Sequence, residues 1–331
     1  MRAALQRAWL HRGALGWSLL PVSWLYGALS GLRRALFRLG VFETQHLPVP
    51  VVVVGNVITG GAGKTPVVIA VVEHLRSRGL RPGVVSRGYG RQGTGCIEVT
   101  PQSDPRAVGD EPLLVATRCS VPVGVAADRP LAARALLAAH PDVKVLVSDD
   151  GLQHHALGRD IEIVVFDDRG AGNGWLLPAG PLREPWPRPA DLVVRTAASG
   201  IEGHHVERRL GTEARRADGT QVPLQSFAGR SCVALAGIAR PQAFFRMLED
   251  AGITLARTVP LPDHDDFSGS LPDLGAEQPL LCTEKDASKL WRSHPGAWAV
   301  PLEVTIEPRF WTALDALLDP KLSSADGSQA A

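Results

Sequence analysis

The chain has 331 residues, 45% of them hydrophobic and 21% charged, and a net charge of +1. At about 150 residues per domain, this length points to two domains. The balance excludes wholesale disorder, collagen-like repeats, a polytopic membrane protein and a nucleic-acid-binding polycation.

The charge is unevenly spread. Residues 1–38 carry Arg2, Arg7, Arg12, Arg33, Arg34 and Arg38 and no Asp, Glu or Lys, which leaves −5 on the remaining 293 residues. Within this head, Gly13 to Leu32 runs 20 residues without a charge. As a helix that stretch would just cross ~30 Å of hydrocarbon. Its four Gly, three Ser and Pro21 make it a weak spanning helix, while Trp17, Trp24 and Tyr26 are ring types that favour a membrane interface. Three readings compete: a cleaved signal peptide, a buried helix of the body, and a membrane anchor, shallow or spanning, whose Arg side chains meet anionic headgroups.

Val51–Val54 is a four-valine run that predicts a parallel strand buried on both faces. Gly55-Asn56-Val57-Ile58-Thr59-Gly60-Gly61-Ala62-Gly63-Lys64-Thr65-Pro66 follows, then an apolar helical stretch from Val67 to Leu75 ending near Gly79. Strand, glycine-rich turn, Gly-Lys-Thr and helix are the context of a phosphate-binding P-loop. Gly60, Gly61, Ala62 and Gly63 turn backbone N–H groups toward phosphate oxygens at a helix N-terminus. Lys64 supplies a point charge to the β/γ-phosphates, and the Thr65 hydroxyl suits Mg²⁺. The strict pattern has Gly where this chain has Ile58.

Gly83–Ser86 reads as a second strand, followed by Arg87-Gly88-Tyr89-Gly90-Arg91, which suits a ligand loop at a strand's C-terminal end. Gly109-Asp110-Glu111-Pro112 precedes a helical run. Asp110 is either the N-cap of that helix or a base that accepts a hydroxyl proton in phosphoryl transfer. Val121–Ala126 predicts a strand and Leu131–Ala139 a helix. Val143–Val147 predicts another strand, ending in Ser148-Asp149-Asp150, the form of a metal-holding Walker B element. Gln153-His154-His155 comes next and offers either a transition-metal pair or a ligand contact. Ile161–Phe166 is a further strand, and the Pro-rich run Leu176–Pro185 is a loop in which Arg183 clamps phosphate or pairs with Glu184.

Alternating strands and helices with polar strand ends indicate a parallel α/β sheet. Residues 197–230 predict an irregular connection or short ribbon, 233–236 a strand, 241–251 a helix, 300–306 a strand and 309–318 a helix, with a disordered tail beyond. Asp263-His264-Asp265-Asp266 falls in a loop, and Thr283-Glu284-Lys285-Asp286 has the wrong spacing for a guanine motif. Cys96, Cys119, Cys232 and Cys282 form no C-x-x-C pair, which suits free thiols in a cytosolic body.

These motifs, in this order, resemble the tetraacyldisaccharide 4′-kinase (lipid A 4′-kinase) family from about Arg33 to about Leu318. The resemblance rests on Gly55 to Pro66, Ser86–Gly90, Gly109–Pro112, Ala127-Asp128-Arg129, Asp149–His154, Leu177–Glu184, Asp263-His264 and Thr283–Asp286. The family also lacks the first P-loop Gly. The resemblance implies ATP- and Mg²⁺-dependent phosphorylation of the 4′-hydroxyl of an acylated disaccharide 1-phosphate lipid, at the cytoplasmic face of a Gram-negative inner membrane. It implies an N-terminal membrane-associated helix (1–38), a P-loop kinase domain (39–196), a smaller C-terminal α/β domain (197–320) and a disordered tail (321–331), with the site between the two domains. By position it assigns Asp110 as base oriented by His264, Lys64 and Thr65 to phosphate and Mg²⁺, Asp149 and Asp150 to the metal, Tyr89 to the nucleotide, and Arg87, Glu111, Arg129, Gln153, His154, Arg183 and Glu184 to the cleft. Two other readings stay open: a soluble P-loop kinase or ligase acting on a small metabolite, and a membrane-peripheral nucleotide switch, against which the base candidate and the missing guanine motif argue.

Overall fold

A computed structural model describes residue 5, residues 7–267 and residues 278–329. Helix α1 (Ala14–Arg38) leads to β1 (Val51–Gly55), α2 (Lys64–Ser77) and β2 (Pro82–Ser86). Next come β3 (Ile97–Val99), a single turn α3 (Pro105–Val108), α4 (Asp110–Cys119), β4 (Val123–Val125), α5 (Arg129–Ala139), β5 (Val145–Asp149), β6 (Ile161–Phe166), β7 (Leu192–Arg195) and β8 (His204–Leu210). The chain continues through β9 (Glu213–Arg215), β10 (Gln221–Pro223), β11 (Ser231–Ala236), α6 (Pro241–Asp250) and β12 (Thr254–Pro260). It closes with β13 (Leu280–Thr283), α7 (Glu284–Leu290), β14 (Trp298–Val300), β15 (Leu302–Ile306) and α8 (Pro308–Gln329).

Two sheets result. The first has the order β15-β8-β7-β6-β1-β5-β2-β4-β3, parallel from β8 to β4 with an antiparallel strand at each edge. β1 lies in its interior, paired in parallel with β5 and β6, which accounts for the valine run. Val52 and Val54 pack toward α2, α4 and α8, and Val51 and Val53 toward α5 and the loop around Leu182. A strand covered on both faces has no polar side to show. The second sheet has the order β10-β9-β14-β13-β11-β12, with Phe244, Phe245 and Leu248 of α6 on one face and Ala287 and Leu290 of α7 on the other.

The two sheets interleave along the chain, where the sequence pointed to a single boundary at residue 197. β8 falls inside the span read as an irregular connection, yet it pairs in parallel with β7 and extends the first sheet. The run 300–306, read as one strand, divides at Pro301: β14 belongs to the second sheet and β15 to the first. Proline has no N–H for a ladder, so the strand breaks there. The two crossings lie side by side, with the Gly211 N–H donating to the Pro301 carbonyl at 2.8 Å. The closing helix also outruns its expected end near 318, and the tail expected to be disordered is helical through Gln329. Its Phe310, Leu314 and Leu318 are fully buried in the core of the first sheet, an anchor that the polar tail sequence does not reveal.

Helix α1 is neither buried nor free. The Ser23 hydroxyl donates to the Leu176 carbonyl and accepts from the Ala179 N–H, both at 2.9 Å. The Tyr26 hydroxyl donates to the Arg183 carbonyl at 2.7 Å, and Trp17 packs edge-on against Trp175. On the far side Val22, Leu25, Leu29 and Leu32 are exposed at three- and four-residue spacing, forming an apolar stripe. Among the described residues no helix is long and apolar enough to cross a membrane.

Because α8 closes the first sheet's core, Phe310→Ala should lower the unfolding free energy by about 3–5 kcal/mol. Urea titration checks this. A change under ~1 kcal/mol would show that the helix is not integral to that core.

Candidate functional site

The P-loop lies between β1 and α2 and rests on the Leu176–Arg183 segment. Thr59 N–H donates to the Pro181 carbonyl at 2.8 Å, and Ile58 makes an antiparallel bridge to Leu182. Ile58 is fully buried in that contact, which explains how the loop accommodates it where the strict pattern has Gly. Gly63 takes φ +73°, and a Cβ there would fall 2.5 Å from Arg208 Nη2. Arg208, from β8, donates to the Ala62 carbonyl at 2.7 Å, so the last glycine of the turn, Gly63, is closed in by a half-buried guanidinium. Lys64 Nζ lies 3.3 Å from Asn56 Oδ1 and 3.7 Å from Asp150 Oδ2.

The acidic turn after β5 sits beside Lys64. Asp149 is buried, with Oδ2 accepting from the Ser86 hydroxyl at 3.4 Å and Oδ1 lacking any partner. Burial, reinforced by the nearby Glu111 charge, pushes its carboxyl up to about 7. Burial also acts on Asp150, but Lys64 and Arg183 outweigh it and hold this carboxyl below the usual range. Arg183 Nη1 donates to both Asp150 oxygens at 3.0 and 3.1 Å and to Gln153 Oε1 at 3.0 Å, rather than to Glu184. Glu184 instead accepts from Gln153 Nε2 at 2.6 Å and pairs with Arg188 at 3.0 Å. Arg129 is buried under the turn, its Nη2 donating to the carbonyls of Asp149 and Asp150 at 3.2 and 2.9 Å. His154 Nε2 accepts the Arg129 backbone N–H at 3.3 Å, which requires a neutral ring. Among the described residues no group of three or more His, Cys, Asp or Glu gathers as a metal cluster.

Asp110 occupies the first turn of α4. The N-cap position belongs to Gly109, at φ +94° and pressed against Gly88, so Asp110 is not the cap. Its carboxylate is 7% exposed, and Oδ2 lies 3.1 Å from His264 Nδ1 and 2.9 Å from Lys289 Nζ. Burial favours the protonated acid, but the His264 hydrogen bond and the Lys289 charge outweigh it and lower the pKa. Lys285 Nζ stands 3.8 Å from Glu111 and 3.3 Å from Asp263, its own pKa raised against burial by these carboxylates. The Tyr89 ring, 66% exposed, lies 5.2 Å from that of His264, and Arg87 is exposed on the same loop.

Between the P-loop and the second sheet lies a cleft open to solvent. One end is polar, with Gly61–Thr65, Glu111, Asp263 and Lys285; the other is apolar, with Phe244, Met247, Val300 and Leu302. The structure thus brings Lys64, Asp149, Asp150, Arg183 and Gln153 into one network and Asp110, Glu111, His264 and Tyr89 into a second. Arg208 and Lys289 escaped the sequence reading. Arg208 carries no motif, but Lys289 follows Lys285 by four residues after the helix cap Thr283, a spacing that puts both lysines on one face.

A P-loop whose lysine meets an acidic strand end, in a chain that also holds a buried ionised carboxylate against a histidine, defines a P-loop phosphotransferase. A model of the tetraacyldisaccharide-1-P 4′-kinase family matches residues 15–319, and the chain belongs to this family. It is 56% identical over 323 residues to the tetraacyldisaccharide 4′-kinase of Acidovorax ebreus, covering 97% of this chain and 96% of that one. To the Delftia acidovorans tetraacyldisaccharide 4′-kinase it is 52% identical, covering 95% and 94%. The crystal structure of LpxK from Aquifex aeolicus in complex with ATP superposes with a TM-score of 0.80 at 30% identity, over 92% of this chain and 99% of that one.

Burial also sets the histidines of this turn. His154 and His155 are lowered to about 4, burial being the larger cause in each, followed by Arg129 and Arg159 respectively. Unfolded imidazole binds its proton near pH 6.5. Between about 6.5 and 4 the unfolded chain therefore holds more protons than the fold, and stability is lost as pH falls through that window. Urea midpoints measured across it should drop, and the drop should shrink in a His154→Gln/His155→Gln double variant. An equal drop in both proteins would contradict neutral, buried rings.

Proposed function

We infer that this chain transfers the γ-phosphate of ATP to the 4′-hydroxyl of a tetraacyldisaccharide 1-phosphate, a step in lipid A biosynthesis. The observation that carries the chemistry is a P-loop lysine lining a cleft that Glu111 also lines, with the buried, ionised carboxylate of Asp110 next to Glu111 in the chain. Family membership supplies the substrate.

Roles follow from the contacts. The loop amides and Lys64 hold the β- and γ-phosphates, and the apolar end of the cavity, with Phe244 and Met247, suits a purine ring. Asp110 Oδ1 takes the hydroxyl proton as the sugar oxygen bonds to the γ-phosphorus and the bond to ADP breaks. His264 fixes the carboxylate's rotamer. Arg183 and Gln153 orient Asp150, while Arg129 and His154 support the turn from beneath. Tyr89, Arg87, Glu111 and Glu184 edge the cleft. Asp149 fits a hard divalent cation: one of its oxygens is buried without a partner. With Asp150 and Thr65 it would hold Mg²⁺, which when bound neutralises phosphate charge.

The membrane-facing part of the reading rests on α1. Its stripe of Val22, Leu25, Leu29 and Leu32, with Arg33, Arg34 and Arg38 at its end, suits shallow contact with an anionic bilayer. The body, drawing on ATP, would lie at the cytoplasmic face of the inner membrane.

Transfer of label from γ-labelled ATP to the disaccharide 1-phosphate in detergent micelles tests the reaction. Asp110→Asn should lower kcat by about 10²–10⁴-fold, and Lys64→Met should remove ATP-induced thermal stabilisation. Absence of transfer by the wild-type protein would overturn the reading. For the membrane part, flotation with anionic vesicles should recover less of a Leu25→Glu/Leu29→Glu variant than of wild type; equal recovery would remove α1 from that role.

A further inference from the structure

Asp110 receives its contacts on one oxygen. Among the described residues, His264 Nδ1 at 3.1 Å and Lys289 Nζ at 2.9 Å both meet Oδ2, and no described group meets Oδ1. Two donors on the same oxygen fix the carboxylate's rotation and leave the other oxygen without a described partner. His264 belongs to the motif already discussed; Lys289 belongs to none.

Lys289 is itself unusual. It is 7% exposed, and burying an ammonium is expensive unless its protons are engaged. Here they are: one toward Asp110, one toward the Asp265 carbonyl, with the charge 5.4 Å from the centre of the Phe267 ring. The Asp265 contact ties Lys289 to the loop that carries His264. Lys289 lies on α7, which packs on the second sheet, whereas Asp110 lies on α4 of the first. The Asp110 carboxylate and its cation therefore come from two helices that cover different sheets and pack against each other.

We propose that Lys289 is a positioning residue for the reaction, which with His264 pins Asp110 Oδ2 so that Oδ1 faces the sugar hydroxyl as an ionised acceptor. This rests on Asp110 being the base. The groups facing Asp110 are His264 and Asp263 from the loop, Lys285 and Lys289 from α7, and Glu111 from its own helix. The Tyr89 ring lies tilted beside that of His264. Of these, Lys289 is the cation in direct contact. Without it, burial acts on Asp110 with less opposition, and the acid form persists to higher pH.

The experiment is a pH profile of kcat/KM for wild type, Lys289→Gln and Lys289→Arg. Gln keeps a donor and loses the charge, so the acid limb should move up by about one pH unit or more, the scale of a nearby opposite charge. Arg keeps the charge, so its limb should stay at the wild-type position even if kcat falls. KM for ATP should be unchanged in both, because neither touches the P-loop. The Gln shift should also appear in a His264→Gln background, which keeps a hydrogen-bond donor beside Asp110. A Gln limb at the wild-type position overturns the proposal whatever happens to kcat, as does an equal shift in Gln and Arg. Asp110→Asn measured alongside separates the two claims: if it keeps more than about a tenth of wild-type kcat, the base assignment itself fails, independently of Lys289.

Discussion

A buried carboxylate stays ionised only where partners offset the loss of water, and Asp110 is placed where burial alone would protonate it. Its charge survives because two nitrogens reach it from the other sheet. Neither sheet holds the complete arrangement. The first supplies the carboxylate at the head of α4, and the second supplies the loop of His264 and the helix of Lys289. The paired crossings at Gly211 and Pro301, hydrogen-bonded to each other, set how the second sheet stands over the first. The electrostatics of one side chain thus depend on a join made by two short pieces of chain far from it.

The phosphate side follows the same logic on a smaller scale. Lys64 and Arg183 converge on Asp150, so the acidic turn stays charged beside the loop that is to hold a polyanion. Asp149 lies deeper, with less compensation, and among the described residues one of its buried oxygens has no hydrogen-bond partner. The network also reaches the surface. The Arg183 carbonyl accepts from Tyr26, and the Gln153 carbonyl accepts from Arg33, both residues of α1. The helix with the exposed apolar stripe therefore leans on the same residues that orient the acidic turn.

Much of this was legible in the residues. A valine run before a Gly-Lys-Thr turn predicts a buried parallel strand and a phosphate loop because both faces of such a strand must be apolar, and β1 is buried along its whole length. The alternation of strands and helices predicts the parallel sheet. The Pro-rich segment at 176–185 reads as a loop, and it is the surface on which both α1 and the P-loop rest. Less visible were β8 and the helical tail. β8 is an edge-side strand with charged residues such as Arg208 and Glu207, so it lacks the apolar signature of an interior strand. Phe310, Leu314 and Leu318 fall inside the helix expected over 309–318, whereas the polar residues beyond carry no apolar pattern that would extend it.

Local chemistry is written in adjacent residues: a glycine-rich turn binds phosphate because its own backbone amides converge, and a strand ending in Asp-Asp presents charge wherever the strand lies. Which cation reaches Asp110, which oxygen of that carboxylate stays open, and which partner Arg183 takes are matters of residues 33 to 179 positions apart. Those pairings depend on the packing of two sheets against each other, and no short-range pattern encodes a distance between segments that meet only after the chain has folded.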